Sequence, residues 1–328
     1  MSPSFIRPWS WRSTNQAYNV ESRMPTRVMD LDLRLLRVFV AVVEAESYTG
    51  AQITLNVGHS TISLHMSDLE KRLGFRLCER GRSGFRLTEK GRTAYEETKR
   101  MLAQLDDFAG SMAGLKKRLA GRLVIGMVDC LTMDPRFPLA LALREFNELD
   151  HDVHVELVVS DRLDLERAIL SGHMHGAIVP YVRDIGGIHF RPLLEETHRL
   201  FVGRGHPLFS KTAEEVLEDE VLKYPFVMRG YRQPFDEEYF PALRYHATIN
   251  NMEAMLVMLL SGGYVGFLPE HYARYWVERS ELKPVECKSL VYRSRHQWAT
   301  SISKSAPKAP AFAAFSKVFE RFLEPDAR

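Results

Sequence analysis

The chain has 328 residues, of which 45% are hydrophobic and 26% charged, and its formal net charge is +2. That length holds two or three domains of ordinary size, and that composition excludes a disordered or fibrous chain. No apolar run approaches the roughly 18 residues of a membrane span, so a cytoplasmic protein is expected. Three widely spaced cysteines, Cys78, Cys130 and Cys287, form neither a disulfide nor a metal pattern and suit a reducing compartment.

Residues 1–29 contain Pro3, Pro8, Trp9 and Trp11 but no continuous apolar core. They read as a disordered extension or an upstream start, with Met24 or Met29 as the alternative first residue, rather than as a secretory signal. From 33 to 44, Leu35, Leu36, Phe39, Val42 and Val43 form the stripe of an amphipathic helix. Ser47 offers an N-cap for a short second helix over 49–55. The break Asn56-Val57-Gly58 leads into a third helix that ends at Leu73, with Gly74 as its stop. Two helices joined by so short a turn are a helix-turn-helix arrangement. Ile62, Met66, Leu69 and Leu73 share the core face of the third helix. Ser60, Ser63, Leu64, Ser67 and Lys71 lie opposite, on a small, hydroxylated face suited to the major groove.

Between Lys71 and Arg100 ten Lys or Arg stand against four acids, a local excess on a balanced chain. Part of it falls in 79–88, where Gly81 and Gly84 sit between short apolar runs and predict a hairpin carrying Arg80, Arg82 and Arg86. A basic hairpin after such a helix is a wing for phosphate or the minor groove.

The stretch 33–91 resembles the DNA-binding domain of LysR-type transcription regulators. The matching residues include Leu36-Arg37-Val38-Phe39, Ser47-Tyr48-Thr49, Ala51, Leu55-Asn56-Val57, Ile62-Ser63, Leu69-Glu70, Leu73-Gly74-Phe75-Arg76-Leu77 and Leu87-Thr88-Glu89-Lys90-Gly91. The resemblance implies DNA contacts from Tyr48, Thr49, His59, Ser60, Thr61, Ser63, Leu64 and Ser67, with Arg80 and Arg82 in the wing. The chain departs from the family at Gly58-His59-Ser60, usually Ser-Gln-Pro, and at Leu64, commonly Arg. It also departs at Cys78, commonly Phe, where a small core residue is expected. These readings give a winged helix-turn-helix over 30–88.

Residues 88–119 lack proline, and Leu102, Leu105, Phe108, Met112, Leu115 and Leu119 recur at helical spacing. A small wing domain cannot cover that stripe, so a partner helix is expected. The resemblance implies the same, a dimerisation helix over 89–120, with Gly121 as its stop. From 121 to 328 strands and helices alternate. Strands are predicted at 123–128, 153–159, 176–179, 198–202, 225–228, 246–249, 264–268 and 297–301. Helices are predicted at 137–149, 163–170, 252–260 and 312–322. Such order predicts an α/β fold, a parallel sheet with helices on both faces.

This half resembles the family's effector domain, two α/β lobes of periplasmic-binding-protein type joined by two crossing strands. The carrying residues are Leu123-Val124-Ile125-Gly126, Gly205-His206-Pro207-Leu208 and Ser261-Gly262-Gly263-Tyr264-Val265-Gly266-Phe267-Leu268-Pro269. Lobe 1 is assigned 121–194 and 297–328, and lobe 2 195–296. Ligands of open α/β sheets sit outside the carboxyl ends of strands, which selects Asp129, Cys130, Thr132, Arg162, Arg229, Tyr231 and Asn250, with Arg232 nearby. Convergent arginines favour a small anionic effector. At least one of the three is expected in an ion pair instead.

The implied partners are double-stranded promoter DNA, a small-molecule effector, further copies of the chain as homodimer or homotetramer, and RNA polymerase. No cofactor is expected. Neither a phosphate loop, a Gly-x-Ser-x-Gly elbow nor a His-Glu-x-x-His pair is present, so no catalytic residue is assigned. Metal binding by His173 and His175 lacks further ligands in the sequence. Two alternatives stand beside this reading: a redox-sensing regulator of the same family, and a two-lobed solute-binding protein.

Overall fold

A computed structural model describes residues 33–81, 84–114, 119–230, 240, 243–287, 289–302 and 309–323. The chain divides into two compact units, Met1–Thr98 and Lys99–Arg328.

In the first unit α1 (Leu33–Glu44) buries Leu35, Leu36, Val38, Phe39, Ala41 and Val42. It packs on α2 (Tyr48–Leu55) and α3 (His59–Leu73). Gly74, at a φ of 76°, closes α3 in the left-handed region that favours glycine. Strands β1 (Cys78–Gly81) and β2 (Gly84–Leu87) form the expected antiparallel hairpin.

Helix α4 (Glu89–Gly114) is shorter than the predicted 89–120. Leu119, expected to close its stripe, instead opens strand β3 (Leu119–Met127). Gly121 is therefore not a helix stop. It lies inside β3 at a φ of 110°, where an added Cβ would come 3.0 Å from Gly110 Cα. Leu115 lies outside the described residues.

The second unit holds a sheet of nine described strands in the order β4-β3-β5-β11-β6-β9-β7-β8, with β10 on β6. One parallel set comprises β4 (His151–Val159), β3 and β5 (Gly176–Pro180). The other comprises β8 (Tyr245–Ile249), β7 (Phe226–Arg229) and β9 (Val265–Pro269). Two long antiparallel strands, β6 (Ile188–Gly203) and β11 (Tyr292–Ser301), run between the sets. Alternation along β3 explains why both faces are apolar. Leu123 and Ile125 face one core with Phe146, Trp298 and Phe315, whereas Val124 faces another with Leu165 and Ile169. The second set is layered the same way, with Phe226 and Phe267 on one side and Val227 and Leu268 on the other.

Helices α5 (Leu139–Asn147) and α6 (Arg162–Leu170) follow β3 and β4. A short α7 (Glu218–Val221) precedes β7, and α8 (Met252–Leu260) follows β8. Three further elements are α9 (Glu270–Glu278), β10 (Leu282–Val285) and α10 (Pro310–Phe319). The prediction missed α7, α9, β10, the first half of β11 and the first half of β6. That half contains Pro192, which cannot donate to a ladder and sits at the register shift opposite Gln297.

Candidate DNA-binding face and ligand cavity

The start of α3 is built from local chemistry. Ser47 Oγ accepts the Gly50 N–H at 2.8 Å and caps α2. Asn56 then takes a φ of 51°, turning the chain toward α3. Ile62, Met66 and Leu69 are fully buried, so α3 has one determined core face. On the remaining surface His59, Ser60 and Leu64 are exposed, Leu64 to 67%, and Thr61, Ser63 and Ser67 are half-buried. Thr49 on α2 is exposed as well. The first turn of α3 carries no acid, so nothing there opposes an approaching phosphate.

Tyr48 differs from its expected role. Its side chain is buried between the rings of His59, 5.9 Å away, and Phe85, 6.3 Å away. Hydrophobic packing makes it a support for α3 and the hairpin rather than exposed surface. The hairpin is tied down by Glu70, whose Oε1 accepts the N–H groups of Leu77 at 2.7 Å and Cys78 at 3.3 Å. Cys78 is buried, as a core-filling residue should be. Arg80 stands opposite Phe85 in the ladder, and Arg82 lies outside the described residues. Thr88 Oγ1 accepts the Gly91 N–H at 2.9 Å and donates to the Arg76 carbonyl at 2.8 Å. A Cβ at position 91 would meet the Leu77 carbonyl oxygen at 1.9 Å, so only glycine fits this start of α4.

In the second unit a cavity of about 440 Å³ opens at the carboxyl ends of the strands. This is an ordinary size and place for a small-molecule site. Asp129 and Cys130 reach it from the end of β3, Ser160, Asp161 and Arg162 from β4, Arg229 from β7, and Asn250 and Asn251 from β8. The crossing strands contribute Glu196, His198, Ser294 and His296. Of the seven residues selected from sequence, Asp129, Cys130, Arg162, Arg229 and Asn250 thus meet around one space. Thr132 does not: it is exposed on the 3-10 turn Leu131–Met133 and is not part of the cavity wall. Tyr231 and Arg232 lie outside the described residues.

Charge in the cavity is mixed rather than uniformly positive. Arg162 Nη1 is 2.6 Å from Glu166 Oε1, one helical turn along α6, and both side chains are largely buried. It is the expected ion-paired arginine. Arg229 is 5% exposed, and its guanidinium lies 5.1 Å from the Tyr292 ring centroid. Asp129 Oδ2 accepts the Met252 N–H at 2.6 Å, joining the end of β3 to the start of α8. Burial pushes the Asp129 carboxyl up, with the nearby Glu196 charge adding to the effect.

Glu196 is the centre of a buried polar group. Its Oε1 accepts from His198 Nε2 and His296 Nε2, both at 2.7 Å. A carboxylate only accepts, so both imidazoles present N–H here. Burial pushes the Glu196 carboxyl up, but His198 and His296 outweigh it and hold the group well below the usual range. Burial keeps His198 below its ordinary value, so the ring is neutral. Glu196 Oε2 makes no hydrogen bond among the described residues and lies 3.8 Å from His271 Nε2. Sequence reasoning missed these strand-interior residues. The available signal was period 2: Leu194, Glu196, His198 and Leu200 share one face of the strand, so two polar residues stand in line with apolar ones.

The remaining candidates find structural roles. His175 Nδ1 accepts the Val124 N–H at 2.9 Å, and its Nε2 lies 3.3 Å from Asp107 Oδ1. Its ring stacks on Phe312 at 5.4 Å, so packing and pairing account for it. Burial and the neighbouring Asp129 charge push the Cys130 thiol strongly up, the opposite of what a reactive thiolate requires. Cys287 is buried in a different core from the one Cys130 borders. No described helix is long and apolar enough to cross a membrane.

Residues 33–92 match the family described as bacterial regulatory helix-turn-helix protein, lysR family. Residues 116–323 match the LysR substrate binding domain. The chain belongs to the LysR family of transcription regulators. It therefore combines a DNA-binding helix-turn-helix with an effector-binding α/β domain. Among relatives of this LysR-family chain is the HTH-type transcriptional activator BauR of Pseudomonas aeruginosa. It is 36% identical over 307 residues, covering 93% of this chain and 98% of the relative. Among solved structures, the LysR-family regulator CbnR matches with a TM-score of 0.65 and 19% identity, covering 90% of this chain and all of that one. CbnR complexed with its target DNA matches with a TM-score of 0.64 and 20% identity, covering 89% and 100%. These structures share the LysR regulator fold described above.

Proposed function

We propose that this regulator reads duplex DNA with α3 and responds to a small, carboxylate-bearing metabolite held in the strand-end cavity. The single observation that carries the effector reading is the buried Arg229 in a cavity assembled from both parallel sets and both crossing strands. A guanidinium so desolvated is a strong carboxylate anchor. On the DNA side, Thr49, His59, Ser60, Thr61, Ser63, Leu64 and Ser67 supply the contacts, with Arg80 and Arg82 reaching phosphates. The description of CbnR in complex with its target DNA supports duplex DNA as the partner. Helix α4 supplies dimerisation: Phe108 and Met112, four residues apart, are 61% and 44% exposed. Ligand binding that favours one arrangement of the DNA-bound oligomer is sufficient to shift transcription.

The test is calorimetry of the full-length protein against a panel of carboxylate metabolites. Loss of one charge-assisted hydrogen bond is worth roughly 1.5 to 3 kcal/mol, so Arg229→Ala should weaken binding about tenfold to a hundredfold. Equal affinity in the variant, or a preference for ligands without an anionic group, contradicts the assignment.

A further inference from the structure

From His59 to Glu70, α3 contains no Arg, Lys, Asn or Gln, the side chains that pair bidentately with purines in the major groove. The two acids of that stretch are held within their own domain. Asp68 Oδ2 lies 3.1 Å from Arg72 Nη2, and Glu70 Oε1 accepts the N–H groups of Leu77 and Cys78. His65 has its Nε2 buried. What α3 offers a base edge is then His59, the hydroxyls of Ser60, Thr61, Ser63 and Ser67, and Leu64. A hydroxyl donates and accepts alike, so it bonds to several base edges and discriminates little between them.

Leu64 is different in kind. At about 100° per residue it lies about 160° around the helix from both Ile62 and Met66, which are fully buried. It therefore stands at the crest of the outer face, where it is 67% exposed. Its neighbours one turn away, Ser60, Thr61, Ser67 and Asp68, are all shorter side chains. Small neighbours let the helix come close to the floor of the groove, and the leucine reaches it first. A single exposed leucine is ordinary on a protein surface. This one occupies the centre of the face on which base reading depends, and it is the only apolar group there. In the major groove one base alone presents an apolar group, the C5-methyl of thymine.

We propose that Leu64 is the specificity-determining residue of α3 and recognises a thymine by packing on its C5-methyl. This rests on the assignment of α3 to DNA and adds to it the base that is read. The contact removes apolar surface of both partners from water. Any other base at that place sets Leu64 against polar edge atoms, which lose water without gaining a partner. Phosphate contacts position the helix independently of sequence, so they survive substitution of Leu64.

Random duplexes selected with the full-length protein supply the probe, a consensus duplex. Each of its thymines is replaced in turn by uracil, which removes the C5-methyl and keeps every hydrogen-bonding group. Affinity is read by fluorescence anisotropy. Replacement of one thymine in the consensus repeat should weaken binding about threefold to tenfold. In Leu64→Ala, an exposed position where no core packing is lost, the same replacement should cost nothing measurable. Selection with that variant should no longer favour thymine there. A consensus whose thymines all tolerate uracil, or a methyl effect that persists in Leu64→Ala, overturns the role of Leu64. Ser63→Glu separates this from the broader reading. If that variant keeps the consensus affinity, or if no consensus emerges, the assignment of α3 falls and Leu64 with it. If it loses affinity while uracil is tolerated, only Leu64 is overturned.

Discussion

The two units of this chain put their chemistry in opposite kinds of place. In the first, the candidate functional residues lie on the outside of one helix, and the core behind them only holds that helix in position. Ile62, Met66 and Leu69 are fully buried, whereas Leu64 on the same helix is 67% exposed. In the second, the candidates are inside, and residues in or just beyond six strands, β3, β4, β6, β7, β8 and β11, must meet before the site exists. An exposed face is specified by a local repeat. A cavity at strand ends is specified by topology, so its parts are scattered from Asp129 to His296. The exposed face tolerates charge because water solvates it. The cavity must pair every charge it holds, which is why Arg162, Glu196 and Asp129 all have built partners.

The sharpest way to break this contrast is at α4. If its exposed stripe is an interface, Phe108→Asp together with Met112→Asp should convert the oligomer to monomers, read by light scattering. Binding to a palindromic operator should then fall by two orders of magnitude or more, since both half-sites must be held by one particle. Retention of the native mass would place dimerisation on another surface. A smaller effect separates the units by acid. Glu196 is held below its ordinary value, so its contribution is present above the usual carboxylate range and lost as pH falls through its folded value. His198 is held neutral, so the folded state resists a proton that the unfolded chain accepts below about pH 6.5. Both signs make the second unit less stable toward acid. The slope should reach about 1.4 kcal/mol per pH unit for each group, read from urea midpoints. His198→Asn should flatten the part of that slope just below neutrality. A midpoint independent of pH between 7 and 4 would contradict the buried network.

The same contrast explains what the sequence made legible. Ser47, Asn56 and Gly74 are punctuation marks whose meaning is local, and all three act where the spacing placed them. Arg229 and Asn250 were found because strand ends can be located from apolar runs. Tyr48 was misassigned because adjacency to an exposed threonine says nothing about burial; Phe85, far along the chain, covers it. Thr132 was misassigned for a related reason: the chain leaves β3 in a turn, and of the residues after the strand only Val128, Asp129 and Cys130 line the cavity before the 3-10 turn begins. His296 was invisible because its partner Glu196 lies on the other crossing strand, a hundred residues away, and Glu196 and His198 offered only their period-2 spacing on one strand. A carboxylate in a strand reads as surface until the strand is known to be central.

The central claim is that recognition of DNA lies on α3 in one unit and recognition of the effector in the other. Fluorescence anisotropy with the intergenic duplex beside the gene, run alongside calorimetry with the best-bound ligand, tests it in one variant. Ser63→Glu sets a negative charge on the half-buried middle of the α3 surface and should cost about a hundredfold or more in specific DNA affinity. Effector affinity should stay within twofold of the parent. Unchanged DNA affinity, or a parallel loss of both activities, would contradict the account.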